Sequence, residues 1–155
     1  MTQTREDQNT AIAIQYLQHI VDGSGSKGKS SFDKAFALVS DDFEIEVLPK
    51  SVKMPPMKLA PYREWLEPMV DETFSDFQLK VLETTAQDNR VMIEAQSSAK
   101  TKDGGDYGME YRISFIFDDK GRITKVKEYV DSLYTARFYG LIDEVKPPAP
   151  KGGAS

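Results

Sequence analysis

Acid–base chemistry in this sequence would fall to carboxylates and tyrosines. The chain of 155 residues has no cysteine and one histidine, which excludes a thiolate nucleophile and a histidine metal cluster. The best-placed acid is Asp131, because it ends a long predicted β-hairpin beside Tyr129. A carboxyl group in an apolar pocket has a raised pKa and can exchange protons near neutral pH. Alternatively, Asp131 caps a helix predicted to begin at Ser132.

Tyr16 is the second candidate for chemistry. It lies mid-way along the apolar face of a helix predicted over residues 8–22, where Ile12 and Ile20 share that face. A buried phenol usually needs a polar partner. Tyr16 is therefore either a core residue that bonds to the backbone or a hydroxyl directed into a pocket, and the sequence leaves both interpretations open.

Further polar and aromatic residues are weaker candidates. Glu110 is a third possible catalytic group. Glu128 has opposite parity to Asp131, so a regular strand cannot direct both acids into one pocket, although a bulge would change this. The loop over residues 49–61 either covers the core or forms a lid. The residues predicted to bind a substrate are Trp65, Tyr129, Tyr111, Met54, Phe36 and Glu94.

The order of the predicted elements gives an α+β fold. Helices are expected at residues 8–22, 31–39 and 62–70, and strands at 43–48, 74–85, 90–99 and in a hairpin over 107–131. Asn9 or Thr10 would cap the first helix, and Pro68 would kink the third or end it early. A short helix closes the domain. The late strands predict an antiparallel sheet that packs its apolar face against the early helices.

The hairpin is the strongest local signal. Tyr111, Ile113, Phe115 and Phe117 alternate along its first arm, and residues 118–121 supply turn formers that end in a glycine. We expect a single domain over residues 1–142. The proline- and glycine-rich residues 143–155 cannot bury a core, and we expect them to be disordered.

This hairpin also carries a family resemblance. It resembles the end of SnoaL-like proteins, which belong to the ketosteroid isomerase and nuclear-transport-factor-like superfamily. The similarity in order and length spans residues 8–140, and it implies a cone-shaped fold, with the curved sheet wrapped around the N-terminal helices and a deep pocket inside. The residues that carry it are Tyr111-x-x-x-Phe115-x-Phe117, Gly121-Arg122-Ile123 and Glu128-Tyr129-Val130-Asp131-Ser132-Leu133-Tyr134.

The resemblance also implies a site. In SnoaL-like cyclases the aspartate that matches Asp131 is the acid–base residue, and in ketosteroid isomerases a first-helix tyrosine, like Tyr16, serves the oxyanion hole. Val47 and Leu48 stand where ketosteroid isomerases carry their base, and residues 93–96 lack the Arg-x-Asp arrangement of limonene-type epoxide hydrolases.

The implied protein is a cofactor-independent isomerase or cyclase. Its substrate would be a hydrophobic, polyketide- or terpenoid-like carbonyl compound. The alternative is a non-catalytic ligand-binding or dimerisation module of the same fold.

A glycine- and serine-rich segment after the first predicted helix matches a phosphate-loop pattern. Residues 23–30 fit Gly-x-x-x-x-Gly-Lys-Ser, a loop that binds phosphates when it follows a buried strand and opens a helix. Here a predicted helix precedes it, and Gly23 is placed to end that helix. The sequence therefore does not predict a nucleotide site.

Composition sets the expected partners. The net charge of −5 argues against nucleic acid, and no segment is apolar enough to be a signal sequence or to span a bilayer. We therefore expect a cytoplasmic protein with no nucleic-acid or membrane partner. The exposed face of a curved sheet commonly pairs with a second copy, so we also expect a homodimer.

Overall fold

The computed structural model describes residues 3–24 and 28–140. The predicted tail over residues 143–155 lies outside the described residues, as does part of the phosphate-loop pattern. The helices are α1 (Arg5–Gly23), α2 (Lys29–Phe36), α3 (Leu59–Thr73) and α4 (Ser132–Phe138). The strands are β1 (Val39–Leu48), β2 (Met57–Lys58), β3 (Phe74–Gln87), β4 (Arg90–Thr101), β5 (Asp106–Phe117) and β6 (Ile123–Val130).

These strands form one curved, open sheet, which confirms the predicted α+β class. Its order is β2-β1-β6-β5-β4-β3. All neighbours are antiparallel except β1 and β6, which run parallel, so the expectation of a purely antiparallel sheet is wrong at this pair. The first strand of the chain lies beside the last, and the bulges in β1, β3 and the β5–β6 pair add local twist. The core lies between this sheet and helices α1–α3.

The predicted β5–β6 hairpin is present, and its alternating aromatic and aliphatic side chains are buried. Asp118 organises the turn, because its carboxylate accepts hydrogen bonds from the backbone amides of Lys120 and Arg122 at 2.9 and 2.8 Å. Gly121 follows with a φ of +74°, a conformation that glycine adopts without strain. The hairpin therefore fixes which face of β5 and β6 points inward.

Helix α1 begins earlier than predicted. Thr4, not Asn9 or Thr10, is the N-cap: Thr4 and Asp7 exchange hydrogen bonds between side chain and backbone, a capping box that satisfies two free amides. The helix buries Ala13, Tyr16 and Leu17, and the Tyr16 ring meets Phe115 of β5 edge-on at 5.9 Å. This contact holds Tyr16 over the centre of the sheet.

Two other boundaries differ from prediction. Pro68 lies inside α3 and does not end it, because Tyr62, Leu66 and Val70 bury one continuous apolar face across it. Helix α2 ends at Phe36, and β1 already begins at Val39, which pairs with Ile123 of β6. Residues 40–42 lie at a register shift, and the pairing resumes at Glu44. No helix in the described ranges is long and apolar enough to cross a membrane.

Candidate functional site

A partly open cavity of about 140 Å³ lies between α1, α3 and the inner face of the sheet. Its wall is mostly aliphatic and aromatic, as in many small-molecule sites. Of the described residues, Glu128 is the only charged one in that wall, and five tyrosines share it: Tyr16, Tyr62, Tyr107, Tyr111 and Tyr139.

Strand β6 directs Glu128 inward. Val126 and Val130, two residues away on either side, also line the cavity, as the two-residue period of a strand requires. Burial raises the pKa of the Glu128 carboxyl to about 7, because the apolar wall disfavours its charged form. Near neutral pH this group can both accept and release a proton.

Tyr16 and Tyr62 form one polar region of the cavity. Burial raises the pKa of each hydroxyl well above its usual range, and the nearby Glu128 charge adds to this. The nearby Tyr62 hydroxyl offsets part of the rise in the pKa of Tyr16. The Tyr16 hydroxyl nevertheless makes no hydrogen bond of acceptable geometry with the described residues. A buried hydroxyl without a partner is costly, so a hydrogen bond from Tyr16 to a bound molecule would be favourable.

A second polar region lies on β4 and β5. The hydroxyls of Tyr107 and Tyr111 are 3.3 Å apart, and the Tyr111 hydroxyl is 3.0 Å from that of Ser97. Ser97 Oγ in turn donates to the Met109 carbonyl oxygen at 3.4 Å. Desolvation raises the pKa of both tyrosines, and Glu128 raises them further, so the carboxyl lies near this region as well.

Tyr139, just after α4, completes the wall. Its hydroxyl reaches the Met69 sulfur of α3 at 3.6 Å. Burial, followed by the Glu128 charge, raises the pKa of Tyr139 to about 12. The residue is 38% exposed, so it lies where the cavity meets solvent.

Comparisons with known proteins agree with this architecture. No protein-family model matches the sequence. Core atranone cluster (CAC) protein 11 from Stachybotrys chlorohalonatus is 30% identical over 124 residues, which cover 79% of this chain and 90% of that protein. BvnE pinacolase from Penicillium brevicompactum has a TM-score of 0.75 at 19% identity, over 88% of this chain and 95% of that chain. The chain belongs to the same family as core atranone cluster protein 11, and its fold is that of SnoaL-like, NTF2-like proteins.

A further solved structure shows the same fold. A candidate SnoaL-like polyketide cyclase from Jannaschia sp. CCS1 has a TM-score of 0.69 at 13% identity, over 86% of this chain and 92% of that chain. The family resemblance inferred from the closing hairpin is therefore confirmed.

Four of the residues predicted from the sequence line the cavity of this SnoaL-like protein: Tyr16, Trp65, Tyr111 and Met54. Trp65 stacks on Tyr62 with ring centres 6.3 Å apart, and Met54 contributes from the loop before β2. Phe36 is buried behind the wall, where its ring meets Tyr62 edge-on at 6.0 Å. Phe36 supports the cavity but does not line it.

The other predicted site residues lie elsewhere. Asp131 is exposed and caps α4, accepting a hydrogen bond from the Tyr134 amide at 3.0 Å. Tyr129 is 49% exposed, and Glu110 is exposed on the outer face of β5. Glu94 forms an ion pair with Arg112 at 2.8 Å on that same outer face. These four residues therefore do not lie in the pocket as predicted. Strand alternation directs Tyr129, Glu110 and Glu94 outward, and Asp131 lies beyond the strand as the cap of α4.

The residue underweighted by the sequence analysis is Glu128. Its signal was present, since Val126, Glu128 and Val130 share one parity while Lys125, Lys127 and Tyr129 share the other. Tyr62, Tyr107 and Tyr139 were also missed as lining residues. Tyr107 has the parity of Tyr111 on β5, which is the pattern that would have identified it.

Neither a metal nor a phosphate site is evident in the described part of the chain. No group of three or more His, Cys, Asp or Glu residues there could hold a metal ion. The phosphate-loop pattern joins two helices, α1 and α2, rather than a strand and a helix. Lys29, its lysine, lies 3.6 Å from the Glu67 carboxylate, as expected for a surface ion pair.

Proposed function

We propose that the protein is an isomerase or cyclase that acts on a hydrophobic, polyketide- or terpenoid-like carbonyl compound by proton transfer, without a resident cofactor. The observation that carries this proposal is the Glu128 carboxyl in an otherwise uncharged cavity, where burial raises its pKa to about 7. An acid–base catalyst is most effective when its pKa lies near the working pH. Similarity to proteins named as a pinacolase and a candidate polyketide cyclase supports the reaction class.

Glu128 would act as the proton shuttle. In its ionised form it removes a proton from the carbon next to the carbonyl group, and in its protonated form it returns the proton at a second position. The mostly apolar wall limits the access of water to the enolate, which favours return of the proton from Glu128 over random protonation by solvent.

Tyr16 would stabilise the charge that forms on the carbonyl oxygen. Its buried hydroxyl has no partner among the described residues, so it can donate a hydrogen bond to that oxygen without breaking another. Donors held in place before reaction are a main source of transition-state stabilisation. The raised pKa of Tyr16 keeps it protonated, as a donor must be.

This proposal moves the proton-transfer role from Asp131 to Glu128, three positions earlier in the chain. Asp131 meets solvent and caps α4. It lacks the apolar surroundings that the chemistry requires.

The proposed assembly is a cytoplasmic homodimer. The exposed apolar residues Leu82, Met92 and Tyr129 on β3, β4 and β6 would be covered by a second copy. Burial of such side chains between subunits is favourable because it removes apolar surface from water.

The proposed activity can be tested by hydrogen–deuterium exchange into a small enolisable ketone, 2-tetralone, followed by NMR in D₂O. We expect the wild-type protein to accelerate exchange and Glu128→Gln to lower that acceleration about 10²- to 10⁴-fold. Asp131→Asn keeps a good helix cap and should stay within about threefold of the wild type.

Two outcomes would count against the proposal. Equal exchange by wild type and Glu128→Gln would remove Glu128 from catalysis. Tight binding of the ketone with no accelerated exchange would favour the non-catalytic ligand-binding module, which the single charged group in the wall also suits.

A further inference from the structure

The direction of the hydrogen bonds between Tyr107, Tyr111 and Ser97 can be worked out from their protons. Each hydroxyl has one proton to donate, and the Met109 carbonyl oxygen can only accept. All three contacts are satisfied at once in a single arrangement: Ser97 donates to Met109, Tyr111 to Ser97, and Tyr107 to Tyr111. For the bond between the two tyrosines, the pKa of Tyr107 is raised and that of Tyr111 is lowered, as expected when Tyr107 donates; the direction of the other two bonds rests on the Met109 carbonyl oxygen being an acceptor.

This arrangement leaves the second polar region with acceptors only. The protons of Tyr107 and Tyr111 are both used within the chain of hydroxyls, so each of these oxygens can offer a ligand only a lone pair. The first polar region instead offers a donor, because the Tyr16 proton has no partner among the described residues. The cavity therefore offers a donor at Tyr16 and an acceptor at Tyr107.

Tyr107 is held rigidly for this role. Its ring packs against Phe74 and Phe138, with centroid distances of 4.6 and 4.8 Å, and Tyr134 meets it edge-on at 5.6 Å. Aromatic packing on several sides fixes the ring, so its hydroxyl is in place before a ligand arrives. Tyr16 is fixed in the same way by its edge-on contact with Phe115.

The charges in the cavity wall restrict the charge that a ligand can carry. Among the described residues, Glu128 is the one charged residue in the wall, and no lysine, arginine or histidine of that part of the chain lines the cavity. An anionic ligand would enter an apolar site that contains a carboxylate and offers no cation, which is unfavourable. The site thus suits a neutral molecule.

We propose that the substrate class is a neutral hydroxy-ketone, whose carbonyl oxygen accepts from Tyr16 and whose hydroxyl group donates to Tyr107. This rests on the proposed function in taking the cavity as the substrate site, and it adds the second oxygen and its hydrogen-bonding direction. Tyr107 is then a specificity-determining residue, and Glu128 lies near both oxygens.

Matched probes test this by binding alone. We would measure dissociation constants by titration calorimetry for α-hydroxyacetophenone, α-methoxyacetophenone and benzoate. The methoxy compound keeps the ketone but cannot donate a hydrogen bond. We expect the hydroxy compound to bind about three- to tenfold more tightly than the methoxy compound, as one net hydrogen bond provides, and benzoate to bind most weakly.

Substitutions of single tyrosines test which residues cause the preference for the hydroxy compound. Tyr107→Phe should abolish the hydroxy-over-methoxy preference and leave the methoxy affinity within about twofold. Tyr16→Phe should weaken both ketones by a similar factor, about three- to tenfold. Tyr129→Phe, at an exposed tyrosine outside the wall, should keep the wild-type preference.

The proposal is overturned if the methoxy compound binds as tightly as the hydroxy compound, if the preference survives in a folded Tyr107→Phe protein, or if neither ketone binds at millimolar concentration. Catalytic activity is judged separately, by the deuterium-exchange assay of the proposed function. A hydroxy preference that depends on Tyr107, together with no deuterium exchange, would refute the proposed activity and keep the ligand class.

Discussion

The buried Glu128 carboxyl should make the protein less stable as pH rises through neutrality. Its pKa is 4.5 in a solvated chain and about 7 in the fold. A raised folded-state pKa means that the native protein binds the proton more tightly than the unfolded chain does. The stability from this group is therefore fully present below about pH 4.5 and is lost as pH rises to about 7.

The size of the effect follows from the shift. At 1.36 kcal/mol per pKa unit, ionised Glu128 lowers the free energy of unfolding by about 3 kcal/mol above pH 7. About 1 kcal/mol of that is already lost at pH 5, because the unfolded chain ionises first. Water in the partly open cavity reaches part of the side chain, so about 3 kcal/mol is an upper limit.

Glu128→Gln isolates this contribution, because glutamine has nearly the same shape and does not titrate. We would measure urea unfolding of both proteins at pH 4, 5, 6, 7 and 8 and subtract the free energies of unfolding. The variant should gain stability relative to wild type as pH rises, by up to about 3 kcal/mol between pH 4 and 8.

The matched control is Glu110→Gln, at an exposed carboxyl on the outer face, which should not reproduce the trend. A difference between wild type and Glu128→Gln that stays constant within about 0.5 kcal/mol across this range would refute the argument, because it would show that the Glu128 carboxyl is not desolvated.

Two further substitutions test the local structure. Tyr16→Phe removes a buried hydroxyl without a partner in the described structure, so it should leave the ligand-free protein unchanged or more stable by about 1 kcal/mol in urea unfolding; a loss above about 1 kcal/mol would reveal a bond to Tyr16. Asp131→Ala removes the cap of α4 and should cost about 1 kcal/mol, whereas Asp131→Asn should cost little; equal losses would contradict the capping role.

Much of the fold follows from local sequence signals. The alternating apolar residues of β5 and the turn formers after it predict the hairpin, and the structure buries those residues. What local signals do not contain is the parallel pairing of β1 with β6. That pairing joins strands separated by residues 49–122, about half of the chain, so it is decided by how the whole sheet closes over the helices. The end of α2 and the start of β1 shift with it.

The site was harder to predict because two signals disagreed. The resemblance indicated Asp131, while the parity of Val126 and Val130 indicated Glu128. The parity of the valines decides the outcome, because Val126 is buried and Val130 is partly buried, and removal of apolar surface from water is favourable. A strand cannot turn Asp131 inward without turning both valines outward. Asp131 lies one residue beyond Val130, where the chain leaves the sheet and enters α4. At that position a carboxylate stabilises the helix start, and the acid that the cavity can use is the one whose strand neighbours are apolar.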